Sequence, residues 1–215
     1  MLVSIIIPTH NSEKYVFKTI ISVLNQSYRT FEVIVVDDCS TDNTVNKIKK
    51  IQEKDKRIKL FSLYSKKNIK ASGSGSKARN YGAGIATGEL IAFPDDDCIY
   101  RKDTIKNVVH GFERKDELGI LIAGKDETLN AVHQDNSLRR NAVTEIHTVL
   151  DLFKARAETS NIFARKEYLS KLEYIFDNNI GPGERTKWAS NEETDLLVRL
   201  LQRNIPIMKD ENVRI

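Results

Sequence analysis

From Leu2 to Ile7 the chain is almost unbroken apolar and β-branched sequence, and Pro8 interrupts it. Such a run predicts a strand buried on both faces of a parallel sheet, stopped by a residue that cannot donate to the ladder. Polar Thr9, His10, Asn11 and Ser12 make a turn into a helix, where Val16, Ile20, Val23 and Leu24 recur at helical spacing and Glu13 suits the first turn. A second apolar run, Phe31 to Val36, ends in Asp37-Asp38. Ser40, Thr41 and Asp42 then supply capping chemistry for a helix from about Thr44 to Lys54, and Ile58 to Leu63 is a third strand. With right-handed crossovers, this β-α-β-α-β order predicts an α/β fold: a Rossmann-like, mostly parallel central sheet with helices on both faces.

Further along, a Gly/Ser-rich stretch opens a helix, Thr87-Gly88 makes a turn, and Leu90 to Phe93 is a short strand. Lys102 to Glu117 predicts a helix with Ile105, Val108, Val109 and Phe112 on one face. Leu118 to Ala123 predicts a strand, Asn161 to Ala164 a short strand, and Lys166 to Ile175 a short helix. Ser65 to Ser76, basic and then Gly/Ser-rich, is expected to be a mobile loop at the carboxyl edge of the sheet. Residues 124–150 are polar and poorly periodic and predict nothing definite, and Gly181, Pro182 and Gly183 mark a loop. No internal repeat or linker divides the chain, and 215 residues fit one domain.

Composition adds limits. At 40% hydrophobic and 30% charged the chain is ordinary for a globular protein. A net charge of +4, from 34 basic and 30 acidic residues, is a mixed surface that does not point to nucleic acid. Phosphate-bearing ligands and an anionic membrane surface remain compatible with it. Cys39 and Cys98 lack zinc-site or disulfide spacing and are expected to be small buried side chains. No run approaches a membrane span, and MLVSIIIPTH lacks the charged start and cleavage site of a signal peptide, so a cytoplasmic location is expected.

Chemistry concentrates in two acidic clusters. Asp95, Asp96 and Asp97 follow Pro94 at the end of a strand, where open α/β sheets bind ligands. Alone, the triplet suits a solvated turn. It also suits a divalent cation bridging phosphates, because three adjacent carboxylates repel one another until a cation neutralises them. The second cluster, Asn191-Glu192-Glu193-Thr194-Asp195, opens a helix with the stripe Leu196, Leu197, Leu200 and Leu201. On a helical wheel Glu193 lies near the centre of that stripe and Asp195 points away. Ser190-x-x-Glu193 is also a capping box, so Glu193 fits a cap and a catalytic base equally on these residues alone. The metal-and-phosphate cluster tips the balance, since displacing a nucleoside diphosphate with a deprotonated hydroxyl needs both parts. No P-loop and no G-x-G-x-x-G after the first strand are present.

Three segments, VSIIIPTHNSEKYVFKTIISVLNQSYRTFEVIVVDDCSTDNT, ARNYGAGIATGELIAFPDDD and FDNNIGPGERTKWASNEETDLLVRLL, resemble in order and spacing the family 2 glycosyltransferases of GT-A fold. The resemblance implies one GT-A domain over 1–215, with residues 1–100 the nucleotide-sugar half and 101–215 the acceptor-side half. Pro8, Thr9 and His10 match the turn lining the nucleobase pocket, and Asp38 the carboxylate that contacts the base. Arg79 lies in a segment associated with nucleotide binding. Asp95 to Asp97 match the D-x-D, with Asp96 approaching the ribose or sugar and Asp97 the Mn²⁺ or Mg²⁺. Glu193 matches the aspartate of the usual E-D pair, the expected base, and Glu192 its glutamate. Because the base position holds Glu rather than Asp, the choice between Glu192 and Glu193 stays open. Many members of the family continue past the point corresponding to Ile215, so truncation at the C-terminus is expected.

The expected reaction is metal-dependent, inverting transfer from a nucleoside-diphosphate sugar, a UDP-sugar by preference, to a saccharide or lipid-linked saccharide in surface polysaccharide synthesis. Lys77 and Arg79 are cations at hand to assist, and peripheral association with the inner face of the membrane fits such an acceptor. Two other classes fit parts of the pattern. A nucleotidyltransferase making sugar nucleotides would want a basic Gly-rich loop where PTHNSEKY stands. A receiver-like regulatory module would use Asp37 or Asp38 and need neither the second cluster nor DDD.

Overall fold

The computed structural model describes residues 1–63, 75–125, 143–181 and 191–215. Its strands β1 (Val3–Thr9), β2 (Phe31–Asp37), β3 (Ile58–Ser62), β4 (Leu90–Ala92), β5 (Ile120–Gly124), β6 (Val143–Ile146), β7 (Ile162–Arg165) and β8 (Ile207–Arg214) form one sheet in the order β3-β2-β1-β4-β7-β5-β8-β6. β1 pairs in parallel with β2 and β4, and β2 with β3. β7 lies antiparallel between β4 and β5, β8 runs parallel to β5, and β6 is antiparallel to β8. The sheet is therefore mixed but mostly parallel. All seven residues of β1 and of β2 are buried, as runs without polar alternation require of strands covered on both faces.

Two hydrophobic cores flank the sheet. On one side Ile5, Ile7, Val33 and Val35 meet α1 (Val16–Leu24), α2 (Thr44–Gln52) and α4 (Thr104–Arg114). On the other, Ile6, Ile34 and Val36 meet α3 (Gly75–Ile85), α5 (Val149–Ala155), α6 (Lys166–Leu169) and α7 (Glu192–Leu201). The period of two along each strand sends alternate side chains to opposite cores. Close approach is needed where the chain enters β4: a Cβ on Gly88 would lie 2.6 Å from the Ser4 amide nitrogen and 2.7 Å from the Leu2 carbonyl.

Several elements depart from expectation. Glu13 does not serve the first turn of α1. Its carboxylate accepts from the Asn43 amide at the start of α2 (3.0 Å) and so ties the β1–α1 loop to the β2–α2 loop. The helix expected over Lys166–Ile175 stops at Leu169, and side chains of other elements hold the backbone of residues 174–176 instead. Arg199 donates to the carbonyls of Tyr174 and Ile175, and Asn80 brackets Phe176, accepting from its N–H and donating to its C=O. Residues 124–150, without a predicted element, contain β6 and the start of α5, and β8 was also unforeseen. Cys39 and Cys98 are half-buried rather than fully buried, and burial pushes the Cys98 thiol up to about 12. The loop predicted over 65–76 lies outside the described residues as far as residue 74, as do Pro182, Gly183 and Ser190 of the capping box. Among the described residues no helix is long and apolar enough to cross a membrane.

Candidate functional site

The carboxyl ends of β1, β2 and β4 open onto a cleft of about 380 Å³, lined by Pro8, Thr9, His10, Asp38, Gly75, Ala78, Arg79, Asp95, Asp96, Asp97, Thr159 and Glu192. The sheet topology assembles it. β1 delivers Pro8 to His10, and β2 delivers Asp38 beside them, with the Asp38 amide donating to the Thr9 carbonyl at 2.9 Å. β4 ends at Ala92, and Pro94 leads into the three aspartates. Because β7 runs antiparallel, its amino end lies at this edge, and Thr159 in the 3-10 turn before it reaches the cleft.

The three aspartates point to different partners. Asp95 is bound by the Arg79 guanidinium and by the Thr159 hydroxyl (3.3 Å). Asp96 turns towards β1, where it accepts from the Ser12 hydroxyl and the His10 amide with the Thr9 hydroxyl nearby, while the Thr19 hydroxyl holds its carbonyl at 2.8 Å. Burial raises the Asp96 pKa, outweighing those donors, and the Asp97 charge adds to the rise. Asp97 is exposed and, among the described residues, has no hydrogen bond or ion pair. The divergence explains why no three acidic, His or Cys groups among the described residues form a ready-made metal cluster.

Arg79 is the cation at the centre. It is 5% exposed, lies over the Phe176 ring and links the two acidic clusters, reaching Glu192 at 3.3 Å as well as Asp95. Glu192, 5% exposed, is the glutamate that lines the cleft. Glu193, placed at the centre of the α7 stripe by the helical wheel, is only half-buried and is not among the lining residues. The buried positions of α7 are Glu192, Leu196, Leu197 and Leu200, so the packed face is rotated towards Glu192. Burial, and then the Glu192 charge, raise the Glu193 pKa. Asp195 faces away, paired with Arg199 at 2.7 Å. Lys77 does not line the cleft. Asp37 is buried and accepts from the Ser40 amide at 3.2 Å.

The cleft thus brings together Pro8, Thr9, His10, Asp38, Arg79, Asp95, Asp96, Asp97 and Glu192, and leaves Glu193 beside it. Sequence reasoning missed Ser12, Thr19 and Thr159. Ser12 stands next to the PTHN turn and was visible in principle, whereas Thr159 gave no signal, since an antiparallel insertion brings it there. Chemically the cleft sets five carboxylates against one guanidinium, an excess suited to a divalent cation carrying phosphates.

Comparison with known proteins bears on the family and the fold. The model for glycosyl transferase family 2 matches residues 4–172. An uncharacterized glycosyltransferase of Haemophilus influenzae is 41% identical over 105 residues, which is 49% of this chain and 40% of that protein. The Staphylococcus aureus poly(ribitol-phosphate) beta-N-acetylglucosaminyltransferase TarS is 38% identical over 109 residues, 50% of this chain and 18% of its own. The structure of TarS 1-349 in complex with UDP-GlcNAc superposes with a TM-score of 0.72 at 25% identity, covering 97% of this chain and 56% of that one. The mannosyltransferase PcManGT from Pyrobaculum calidifontis, in complex with GDP-Man and Mn²⁺, shares the fold with a TM-score of 0.69 at 17% identity, covering 99% of this chain and 55% of that one. The matched region is thus well under half the length of these curated relatives. With the family's model matching from the first strand past the aspartate triplet, and with the TarS structure superposing over nearly the whole chain, the chain belongs to glycosyl transferase family 2 and has the GT-A fold.

Proposed function

We propose that this domain moves a sugar from a nucleoside-diphosphate sugar, a UDP-sugar by preference, to an acceptor hydroxyl with inversion at the anomeric carbon. The observation that carries the reading is the convergence of Asp38, Asp95, Asp96, Asp97, Glu192 and Arg79 on one cleft at the carboxyl edge of β1, β2 and β4. The turn Pro8-Thr9-His10 and Asp38 hold the nucleobase, and Asp96 faces the ribose and sugar. Asp97 offers an exposed, uncommitted carboxylate oxygen, a donor that fits Mn²⁺ or Mg²⁺. Such ions bind through one or two carboxylates and complete their shell with phosphate oxygens and water. When bound, the ion stabilises charge on the leaving diphosphate.

Arg79 holds Asp95 and Glu192 in place, which commits the Glu192 carboxylate to an ion pair. Glu193 has no ion pair among the described residues, and its raised pKa moves it towards that of an effective base, so Glu193 takes that role. It removes the proton of the acceptor hydroxyl as the acceptor oxygen bonds to the anomeric carbon and the bond from that carbon to the diphosphate oxygen breaks. The acceptor is a saccharide, free or lipid-linked, of a surface polymer. The polymer named for TarS, poly(ribitol-phosphate), supports a surface polymer as the acceptor, and peripheral association with the inner face of the membrane belongs to the same proposal.

Thermal unfolding with UDP, GDP, dTDP and CMP, each with and without Mn²⁺, tests the donor site. UDP at ~100 times its Kd is expected to add about 2.7 kcal/mol. Mn²⁺ enlarges that shift in the wild type and not in Asp97→Asn. No shift with any nucleotide under either condition overturns the reading.

A further inference from the structure

His10 is the junction of three segments at the nucleobase end of the cleft. Its backbone N–H binds the Asp96 carboxylate. Its Nδ1 lies 2.6 Å from the Asp38 carbonyl oxygen, and its Nε2 lies 3.0 Å from the Asn11 side-chain nitrogen. A carbonyl only accepts, so Nδ1 carries the hydrogen. Asn11 cannot turn its oxygen to the ring instead. That oxygen accepts from the Thr41 amide (2.8 Å), the Thr41 hydroxyl (3.3 Å) and the Asp42 amide (3.4 Å). The Asn11 amide donates to the Ser40 hydroxyl at 2.9 Å, and its backbone sits at φ 49°, a left-handed conformation that asparagine tolerates. With the oxygen so held, the Asn11 NH₂ must face Nε2, which must therefore accept.

We propose that Asn11 is a positioning residue for donor recognition. It locks His10 as the neutral Nδ1–H tautomer, so that the ring forms an uncharged wall of the nucleoside site with both nitrogens spent on protein, and hydrogen bonding to the base falls to Asp38. The inference rests on the nucleotide-sugar reading and goes beyond it, because it assigns a residue outside the cleft lining and fixes a protonation state. The same three amide and hydroxyl contacts join the β1–α1 and β2–α2 loops, so Asn11 also sets the distance between His10 and Asp38.

The discriminating variant is Asn11→Asp. One carboxylate oxygen keeps the contacts to Thr41 and Asp42, and the other replaces the NH₂ and meets the Nε2 lone pair. That contact turns favourable only when the ring gains a second proton, which an adjacent carboxylate itself favours. The charged groups sharing the cleft are Asp38, Arg79, Asp95, Asp96, Asp97 and Glu192. These, with Glu13 and Asp42 of the two joined loops, are common to wild type and variant, so the carboxylate introduced at position 11 is the one added charge, and the pH dependence of the affinity ratio, rather than its size, reports the His10 contact.

The experiment has two readouts. ¹⁵N NMR of the imidazoles, with His10 assigned by its loss in His10→Gln, is expected to show Nδ1 protonated and Nε2 bare at pH 8. A protonated Nε2, or fast averaging of the two tautomers, overturns the proposal. Calorimetric titration with UDP is expected to show Asn11→Asp weaker than wild type by about tenfold at pH 8 and within about threefold at pH 6. Asn11→Ala, which loses the three loop contacts and the His10 contact, is weakened equally at the two pH values. Equal affinity of Asn11→Asp and wild type at pH 8, or an identical deficit at both pH values, overturns it. If the tautomer is as stated but UDP fails to bind the wild type, the nucleotide reading itself has failed and the assignment of a donor-site role to Asn11 falls with it.

Discussion

The same strands carry buried acids at both ends, and the two ends are built to opposite purposes. At the amino edge Glu32 is surrounded by donors: the Ser4 hydroxyl (2.7 Å), the Thr87 amide and hydroxyl (both 2.7 Å) and the Lys59 ammonium (2.8 Å). Burial alone would raise its pKa, but Lys59, Ser4 and Thr87 together bring it down to about 2. At the carboxyl edge burial wins, and the pKa of Asp96 and that of Glu193 go up. An acid whose lone pairs are filled by the protein is a fastener. Acids left in excess, with one guanidinium among five carboxylates, fit the divalent cation proposed for the cleft.

That contrast is sharpest at Glu193. Replacing it with Gln is expected to lower kcat by about 10²–10⁴-fold in a sugar-transfer assay without a matching loss of nucleotide binding. Because a base must be unprotonated and burial raises Glu193, wild-type kcat/KM is expected to fall with falling pH at a point above the ordinary glutamate range. If Glu192→Gln abolishes transfer while Glu193→Gln leaves it intact, the two roles are exchanged.

The next effect is on stability at the same edge. Arg79→Met leaves Asp95 and Glu192 without their shared cation, and removing one partner of the buried Arg79–Glu192 pair costs about 3 kcal/mol. Urea unfolding measures it, and adding Glu192→Gln to the variant should recover part of the loss. An unchanged midpoint would mean that Arg79 does not hold the cleft together.

The smallest effect belongs to the amino edge. Glu32→Gln is expected to cost about 1.5 kcal/mol near neutral pH, the scale of hydrogen bonds to a charged group, with no direct effect on kcat. Glu32 has a depressed folded pKa, so its contribution is complete above the unfolded-chain value. It disappears as pH falls from there to about 2, and wild type and variant should converge in urea midpoint over that window. A loss of turnover in Glu32→Gln without a loss of stability would break the division between fastening and functional ends.

Local pattern determined a great deal. The unbroken apolar runs of β1 and β2 are buried along their whole length, and Pro94 sets Asp95, Asp96 and Asp97 just past the sheet. These features depend on period and on backbone chemistry, which neighbours in sequence carry. The acceptor-side half was less legible. α5 exposes Leu150 and Phe153 and buries Leu152 and Ala155, so its apolar residues do not mark one face. β8 is strewn with charges yet buries Asp210.

The phase of α7 was also beyond local reasoning. A wheel drawn through its leucines centres on Glu193, but packing against strands and helices distant in sequence rotates Glu192 inward, onto Arg79. The sequence by itself thus placed the acids at the end of the strands, because that follows from where a strand must stop. Only the tertiary structure decided which acid is spent on Arg79, which on Ser12, and which stays uncommitted, because those partners come from separate elements that only folding brings within hydrogen-bonding reach.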